Sequence, residues 1–364
     1  MFFLRRRSAK IRMSGIMPTV DQSDADSSIK CVEGKPQTSQ TAVARKRSQP
    51  KVSIGLPVYN GERYLREAIE SILTQDFTDF ELLIGDNAST DCTWDICQEY
   101  AARDQRIRLH RHERNVGATA NFEFVFENTT GPYFMWHAHD DFRAPSSVKE
   151  CVQFLDSNRN HVLCSTGNSA IDERGRSPLY SLPYDFVWDD DRPENRFRKC
   201  LNTYGQYHAL YGLIRREALE QLLPFPRLEW HADTIFVLQM CLVGKCGQVK
   251  ETLRHFSVRK FYTVLEALNQ YTKDSFGPGF KVKLFPNTRA CRVLISQILH
   301  FHGLSLSQKL VLIGLALRHG PLSNFLTADI ELFFKKILLP WETAYSLCRA
   351  LKRWVSRLLY SQAR

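Results

Sequence analysis

Two adjacent carboxylates, Asp140 and Asp141, follow a short apolar run and are the residues of this sequence best suited to hold a metal ion. The run, Tyr133 to Trp136, has an aromatic residue or Met at every position, which is typical of a buried strand covered on both faces. Carboxylates just past such a strand lie where open α/β sheets bind ligands, so they could hold a divalent cation against an anionic substrate. The alternative is a solvated turn, because strands often end in Asp.

Two histidines, His137 and His139, alternate along the same stretch, and with Asp140 they could contribute to a zinc site. Zinc sites need three or four protein ligands, and no third His or Cys lies close in the sequence. We therefore expect these histidines to be packed or hydrogen-bonded.

Three earlier stretches are each typical of a strand that leads into a polar turn and a helix: residues 51–58, 80–85 and 107–111. Because each crossover between parallel strands needs a helix, this alternation predicts an α/β protein with a doubly wound, mostly parallel sheet flanked by helices. Tyr59, Asp86, Asn115 and Asp140 would then meet at the carboxyl edge of that sheet, where such folds bind ligands.

A further carboxylate, Asp233, stands at the start of an apolar helical pattern that ends at Gly244. It could accept a proton from a reacting group, and a helix N-terminus would favour its ionised form. It could equally do no more than complement the helix dipole, and the residues alone favour that interpretation.

The formal net charge of +10 is concentrated at the two ends of the 364-residue chain. Residues 1–50 hold ten Lys and Arg against four Asp and Glu, and residues 335–364 hold seven against one. The body between them is therefore near −2. Such a body offers no basic face to a phosphate backbone, so we expect no nucleic-acid partner.

The composition predicts a polar, basic and disordered leader over residues 1–50, a folded domain over 51–260 and a helical extension over 261–364. The true start could be Met1, Met13 or Met17. No run of about 18 apolar residues occurs, so a spanning helix is not expected. The ten cysteines form no C-x-x-C pair and no zinc spacing, which predicts free thiols and a cytoplasmic location.

The last predicted helix, residues 345–360, is amphipathic and basic, with leucines such as Leu347, Leu351 and Leu358 on one side and Arg349 and Lys352 off it. This pattern fits peripheral contact with the cytoplasmic face of an anionic membrane. Packing of the same leucines on the folded domain is an equally good explanation.

Four motifs together resemble the N-terminal signature of family 2 glycosyltransferases with the GT-A fold: Leu56-Pro-Val-Tyr-Asn60, Asp86-Asn-Ala-Ser-Thr-Asp91, Asn115-Val-Gly117, and His139-Asp140-Asp141 followed by Pro145. The resemblance covers about 210 residues, from Lys51 to roughly Phe261. It implies nucleotide contacts by the following residues: Pro57, Tyr59, Glu62, Asp86, Asn115 and His139.

The resemblance also implies Mg²⁺ or Mn²⁺ bound by Asp140, with Asp141 nearby, and a catalytic base at Asp233. This chain departs from the family pattern where Ala138 and Ala232 replace acidic residues, and where Asn87 replaces the commoner Asp. The Q-x-x-R-W element is missing as well, which in this resemblance implies transfer of single sugars.

The expected activity is transfer of a sugar from a nucleotide-diphosphate sugar to a sugar or lipid-linked acceptor hydroxyl with inversion, in surface polysaccharide or glycolipid assembly. A nucleotidyltransferase is the alternative enzyme, although residues 51–66 lack the Gly-rich basic loop that such enzymes usually carry. A catalytically degenerate sugar-nucleotide binding protein is the alternative that is not an enzyme, because of Ala138 and Ala232.

Overall fold

A computed structural model of the protein describes residues 49–171, 178–181, 185–203, 205–225, 231–257 and 286–318. Nine strands lie in one sheet in these residues: β1 (Val52–Val58), β2 (Phe80–Asp86), β3 (Ile107–Arg111), β4 (Tyr133–Trp136), β5 (Asp141–Arg143), β6 (His161–Ile171), β7 (Pro178–Ser181), β8 (Leu213–Arg215) and β9 (Lys245–Ser257). The helices are α1 (Leu65–Leu73), α2 (Thr93–Arg103), α3 (Ala118–Glu127), α4 (Ser147–Ser157), α5 (Pro193–Asn202), α6 (Arg216–Glu220), α7 (Ala232–Val243), α8 (Pro286–His300) and α9 (Leu306–Arg318). A 3₁₀ helix spans Gln206–Tyr211.

The predicted α/β architecture is confirmed. The strand order is β3-β2-β1-β4-β8-β6-β9-β5, with β7 paired to β6. The first four strands in this order are parallel, and helices return the chain between them, as the sequence pattern requires. Their carboxyl ends therefore lie along one edge of the sheet.

The other half of the sheet is mixed. Strand β8 runs antiparallel to both β4 and β6, whereas β9 runs parallel to β6 and antiparallel to β5. The thirteen-residue strand β9 has no counterpart in the sequence prediction. Helix α5 begins with Pro193, and proline is well tolerated at the first turn of a helix because its missing N–H would have no partner there.

Apolar side chains cover both faces of the sheet. One cluster packs α1, α2 and α4 on one face, around residues such as Ile54, Leu65 and Leu155. The other packs α3, α5, α7, α8 and α9 around Phe134 and Trp136. Residues 286–318 therefore share their core with the domain that carries the parallel strands.

Several predictions fall on residues outside the described ranges, namely the leader up to residue 48, the domain boundary near residue 260 and the helix at 345–360. Seven described cysteines are free thiols, and the prediction that all are free is wrong for Cys92, which is disulfide-bonded. No helix in the described ranges combines the length and the apolar run that crossing a membrane requires.

Candidate functional site

The parallel register brings the carboxyl ends of β1, β2 and β4 side by side. Val58, the last residue of β1, pairs with Asp86, the last residue of β2, and Gly55 pairs with Trp136 at the end of β4. Pro57 is buried within β1 opposite Gly85. The loops after these strands therefore start from the same edge of the sheet, which we call the rim.

The loops that follow β1 and β2 are joined by hydrogen bonds. The amide of Asn60 donates to Ser89 Oγ at 2.9 Å, and the Asn60 side-chain oxygen accepts from the amide of Thr90 at 2.8 Å. Glu62 Oε2 accepts from the amide of Cys92 at 3.0 Å. Glu62 thus joins the two loops by a hydrogen bond. Tyr59 lies half-buried at the start of the loop after β1.

Asp86 is fully buried at the rim and is only partly satisfied by the protein. Its Oδ1 accepts from the amide of Ser89 at 3.1 Å, and its Oδ2 lies 3.1 Å from Arg111 Nε in an ion pair without hydrogen-bond geometry. Burial raises the pKa of this carboxyl, although the Ser89 hydrogen bonds and Arg111 oppose the shift. Its Oδ2 is a buried acceptor that lacks a hydrogen bond.

Asn115 supplies a buried donor that also lacks a hydrogen-bond partner. Its side-chain oxygen accepts from Asn87 Nδ2 at 3.0 Å and from the amide of Gly117 at 2.9 Å, which fixes the orientation of the amide group. Its Nδ2 is then left buried without a hydrogen-bond partner. Asn87 links this group to the end of β2, because it directly follows Asp86.

The turn between β4 and β5 carries His139 and Asp140 to the same rim. A Cβ atom on Gly61 would lie 2.9 Å from the His139 ring, so the ring packs against the loop after β1 and glycine is needed there. Asp140 is half-buried. The structure therefore brings His139 and Asp140 next to the loop that contains Tyr59 and Glu62.

Asp140 suits a hard cation such as Mg²⁺ or Mn²⁺ only if a bound substrate supplies further ligands. The described residues contain no cluster of three or more His, Cys, Asp or Glu side chains that could hold a metal ion by themselves. Mg²⁺ commonly binds through one or two carboxylates plus substrate phosphates. A single carboxylate at a ligand-binding rim fits that arrangement.

Asp141 does not fit the metal role predicted for it. Its side chain is buried, and its Oδ2 accepts from Arg254 Nε at 2.7 Å. Burial raises the pKa of Asp141 to about 6, even though Arg254 acts in the opposite direction. Asp141 therefore belongs to a buried ion pair behind the rim.

His137 is a buried structural histidine, as we expected for this residue. Its Nδ1 accepts from Arg143 Nε at 3.1 Å, and its Nε2 lies 3.2 Å from the Asp141 carbonyl oxygen. Burial and the charges of Arg143 and Arg254 hold its pKa well below the usual range, so the ring is neutral. Both ring nitrogens are engaged, which leaves no lone pair for zinc.

Asp233 lies half-buried in the first turn of α7. Its Oδ1 accepts from the amide of Thr234 at 2.7 Å. We expected the helix N-terminus to favour the ionised form, but burial is the larger effect and raises the pKa of Asp233. A carboxylate with a raised pKa is a stronger base than an exposed Asp.

The structure adds Tyr211, which the sequence did not indicate because its position depends on long-range contacts. Arg254 lies over its ring at 4.2 Å from the centroid, and Arg143 donates to its carbonyl oxygen. Burial raises the pKa of Tyr211, and the negative charges of Asp141, Asp140 and Asp233 act in the same direction. Its phenol is therefore within electrostatic range of both the turn after β4 and the start of α7.

Backbone strain marks the same region. Among the described residues other than glycine, those with positive φ are Asn60 (50°), Ala88 (60°) and His231 (64°). They lie in the loop after β1, in the loop after β2 and just before α7. Left-handed conformations in such residues cost energy and cluster at functional sites, which independently supports a site at this rim.

Part of this chain is similar in sequence to known proteins. The family model described as Glycosyl transferase family 2 matches residues 53–223, a stretch that ends before Asp233. EpsE of Bacillus subtilis, which is named as a glycosyltransferase, is 38% identical over 140 residues, covering 37% of this chain and 50% of EpsE. A glycosyltransferase of Rickettsia typhi is 32% identical over 166 residues, covering 45% of this chain and 48% of that protein. This chain thus spans about half the length of these two relatives.

Solved structures share the fold. Crystal structures of Staphylococcus aureus TarS 1–349 and of its complex with UDP-GlcNAc superpose on this chain with TM-scores of 0.56 and 0.57 at 17% identity. They cover 80% and 78% of this chain, and 76% and 81% of the respective TarS chains. At this identity the likeness concerns the GT-A fold. The matched family model covers slightly less than half of the chain, and together with the named relatives it shows that residues 53–223 are similar to glycosyl transferase family 2.

Proposed function

We propose that the protein transfers a single sugar from a nucleotide-diphosphate sugar to an acceptor hydroxyl with inversion, in the assembly of a surface polysaccharide or glycolipid. The observation that carries this proposal is the pair of buried atoms without hydrogen-bond partners at the rim, Asp86 Oδ2 and Asn115 Nδ2. Asn87, which follows Asp86 and donates to Asn115 Oδ1, connects the two residues. An acceptor and a donor at one rim suit a base edge that has an N–H next to a carbonyl, as in uracil or guanine. Binding the base would satisfy both atoms.

The loops after β1 and β2 would enclose the rest of the nucleotide. Tyr59 lies in the loop after β1, and His139 packs against this loop from the turn after β4. Glu62 joins the loop after β1 to the one after β2. Asp140 would hold Mg²⁺ or Mn²⁺ jointly with the donor diphosphate. The cation would offset the negative charge that develops on the leaving diphosphate.

Asp233 would remove the proton from the acceptor hydroxyl as this attacks the anomeric carbon. A sugar hydroxyl is a poor nucleophile at neutral pH, so a positioned base is needed. The raised pKa of Asp233 suits that role, and Tyr211 lies within electrostatic range of both carboxylates. One displacement with one base inverts the anomeric configuration.

The acceptor class and the location are part of the proposal. The complex of TarS 1–349 with UDP-GlcNAc supports a nucleotide-sugar donor, and the name of EpsE supports glycosyl transfer. The seven described free thiols favour a reducing, cytoplasmic location, whereas the disulfide of Cys92 argues against it. In that location the acceptor would be a sugar or a lipid-linked sugar.

The test is a panel of UDP-, GDP- and TDP-sugars with Mg²⁺ or Mn²⁺, followed by release of nucleoside diphosphate with and without sugar acceptors. Release that requires one donor and is strongly reduced in Asp233→Asn supports the proposal. Formation of pyrophosphate from a nucleoside triphosphate and a sugar phosphate would indicate a nucleotidyltransferase. Donor binding without any release would indicate a degenerate binding protein.

A further inference from the structure

Helices α8 and α9 carry a concentrated patch of exposed apolar side chains. Of the seven large apolar residues that are exposed in the described ranges, five lie on these two helices: Leu299, Leu306, Leu310, Val311 and Leu317. Leu306, Leu310 and Leu317 are 70%, 60% and 55% exposed. Single exposed leucines are ordinary, but a concentrated patch marks an interaction surface.

The three most exposed leucines form one stripe along α9, which we call the leucine stripe (Leu306, Leu310 and Leu317). Residues spaced by four and seven positions lie on the same side of an α-helix, and this stripe extends for about 16 Å at the usual rise per residue. Leu312 and Ala316 on another side of α9 are fully buried in the cluster that contains α5 and α7. One side of α9 thus packs on the core, and another side exposes the leucine stripe to solvent.

The charge of the hairpin formed by α8 and α9 indicates what the stripe contacts. Residues 286–318 contain no Asp or Glu, whereas they contain four basic residues, namely Arg289, Arg292, Lys309 and Arg318. Apolar side chains among positive charges suit the surface of an anionic bilayer, where acyl chains lie beneath phosphate headgroups. A second copy of this chain would bring four like charges against these four, which disfavours self-association through the stripe.

The sequence that follows α9 continues the same pattern. Residues 335–364 have seven Lys and Arg against one Asp or Glu, with leucines at helical spacing. A peripheral helix that combines a modest apolar stripe with positive charge binds reversibly and more strongly than either feature alone. The described hairpin and the sequence after it therefore both combine leucines with basic residues, which suits binding to the same lipid surface.

We infer that the α8–α9 hairpin docks on an anionic lipid bilayer, with the leucine stripe inserted at the level of the headgroups and upper acyl chains and with the basic residues attracting the phosphates. This inference goes beyond the proposed sugar transfer and does not depend on it. The hairpin packs on α7, so docking would hold the domain at the bilayer through the helix that carries Asp233 in its first turn.

The experiment is cosedimentation of the full-length chain with phosphatidylcholine vesicles, with and without phosphatidylglycerol. We expect binding to the anionic vesicles, weaker binding as salt increases, and little binding to phosphatidylcholine alone. The variant Leu310→Ser/Leu317→Ser should bind the anionic vesicles about tenfold to hundredfold more weakly, because two apolar side chains no longer leave water. Tyr207→Ser, which removes an exposed ring outside the hairpin, should bind like wild type.

Thermal melting of each variant shows whether the fold is intact, and nucleotide binding should be the same in the double variant and in wild type. Equal vesicle binding by wild type and the folded double variant would overturn the inference, as would absence of wild-type binding to anionic vesicles. Sedimentation velocity without lipid supplies a further test. A wild-type dimer that the double variant abolishes would assign the leucine stripe to a contact between copies and would also overturn it.

Discussion

Arg254 and Asp141 form a buried ion pair that links β9 to β5, with Arg254 Nε 2.7 Å from Asp141 Oδ2. The antiparallel register of these strands brings the two residues together across 113 positions of sequence. Arg254 also lies 4.2 Å from the centroid of the Tyr211 ring. One guanidinium therefore connects the residue next to Asp140 with an aromatic ring that lies in the electrostatic range of Asp233.

Removing this guanidinium should destabilise the fold in a pH-dependent way. We expect Arg254→Gln to lose about 3–5 kcal/mol of unfolding free energy at neutral pH, because Asp141 is left buried without its partner. The pKa of Asp141 is about 6 in the native protein and would rise further, since Arg254 lowers it.

The sign follows from the protons bound in each state. A native carboxyl with a raised pKa holds its proton where the unfolded chain has lost it, so native stability decreases as pH rises through that range. In the variant this range extends to higher pH. The loss of unfolding free energy relative to wild type should therefore be larger at pH 8 than at pH 5. Urea unfolding at both pH values measures it. Arg196→Gln is the matched control, because Arg196 is a buried arginine that bonds to carbonyl oxygens such as that of Cys241. An equal loss at both pH values for Arg254→Gln would contradict the prediction.

Asp140→Ala should abolish transfer and cation-dependent nucleotide binding while the melting temperature stays close to that of wild type. The substitution removes the proposed oxygen ligand, a half-buried side chain after the end of β4, and leaves the core intact. Calorimetric titration of nucleoside diphosphate with and without Mn²⁺ measures the effect apart from turnover. The control is Asp79→Ala. Asp79 is an exposed carboxylate just before the amino end of β2, at the edge of the sheet opposite to the rim. Full activity of the wild type in excess EDTA would refute a metal requirement.

Asp86→Ala should weaken donor binding more than it lowers turnover at saturation, because a contact to the base is made equally in the ground and transition states. The loss of one hydrogen bond to a charged group corresponds to about tenfold to hundredfold in the dissociation constant. Asn115→Ala should act in the same direction. If both side chains contact one base, their effects should be coupled in a double-mutant cycle. Unchanged donor affinity in Asp86→Ala would remove Asp86 from the site.

Asp233→Asn should reduce turnover by roughly a hundredfold to ten-thousandfold, because the amide keeps the size of the side chain but cannot accept the proton. Nucleotide affinity should change little, since the proposed base contacts lie at the ends of other strands. The anomeric configuration of the wild-type product, determined by NMR, should be inverted relative to the donor. Turnover of the variant within a few-fold of wild type, or retention of configuration, would place the base elsewhere.

The pH dependence of turnover offers a separate check on Asp233. A base must be ionised to act, so turnover should fall as pH decreases through its pKa. Burial raises that pKa, and the acidic limb of the profile should therefore lie above the pH at which an exposed aspartate titrates. The limb should disappear from the residual activity of Asp233→Asn. If that residual activity keeps the same acidic limb, another group is titrating.

The sequence by itself determined the parallel half of the sheet and the rim where the polar residues meet. Each of these strands is a short apolar run followed by a polar turn and a helical pattern, so the signal lies within one stretch of chain. Parallel strands then place Tyr59, Asp86, Asn115 and Asp140 at one edge by necessity. The motif order within the same residues indicated the family.

Only the tertiary structure decided which carboxylates at this rim are available to a ligand. Asp140 and Asp141 are neighbours of the same type, yet Asp141 turns into the core because Arg254 meets it there from a strand far along the chain. The position of Tyr211 and the raised pKa of Asp233 likewise depend on what other elements bury. Local patterns record the preferences of adjacent residues, whereas burial and charge pairing depend on segments that are distant in sequence, and only folding brings those segments together.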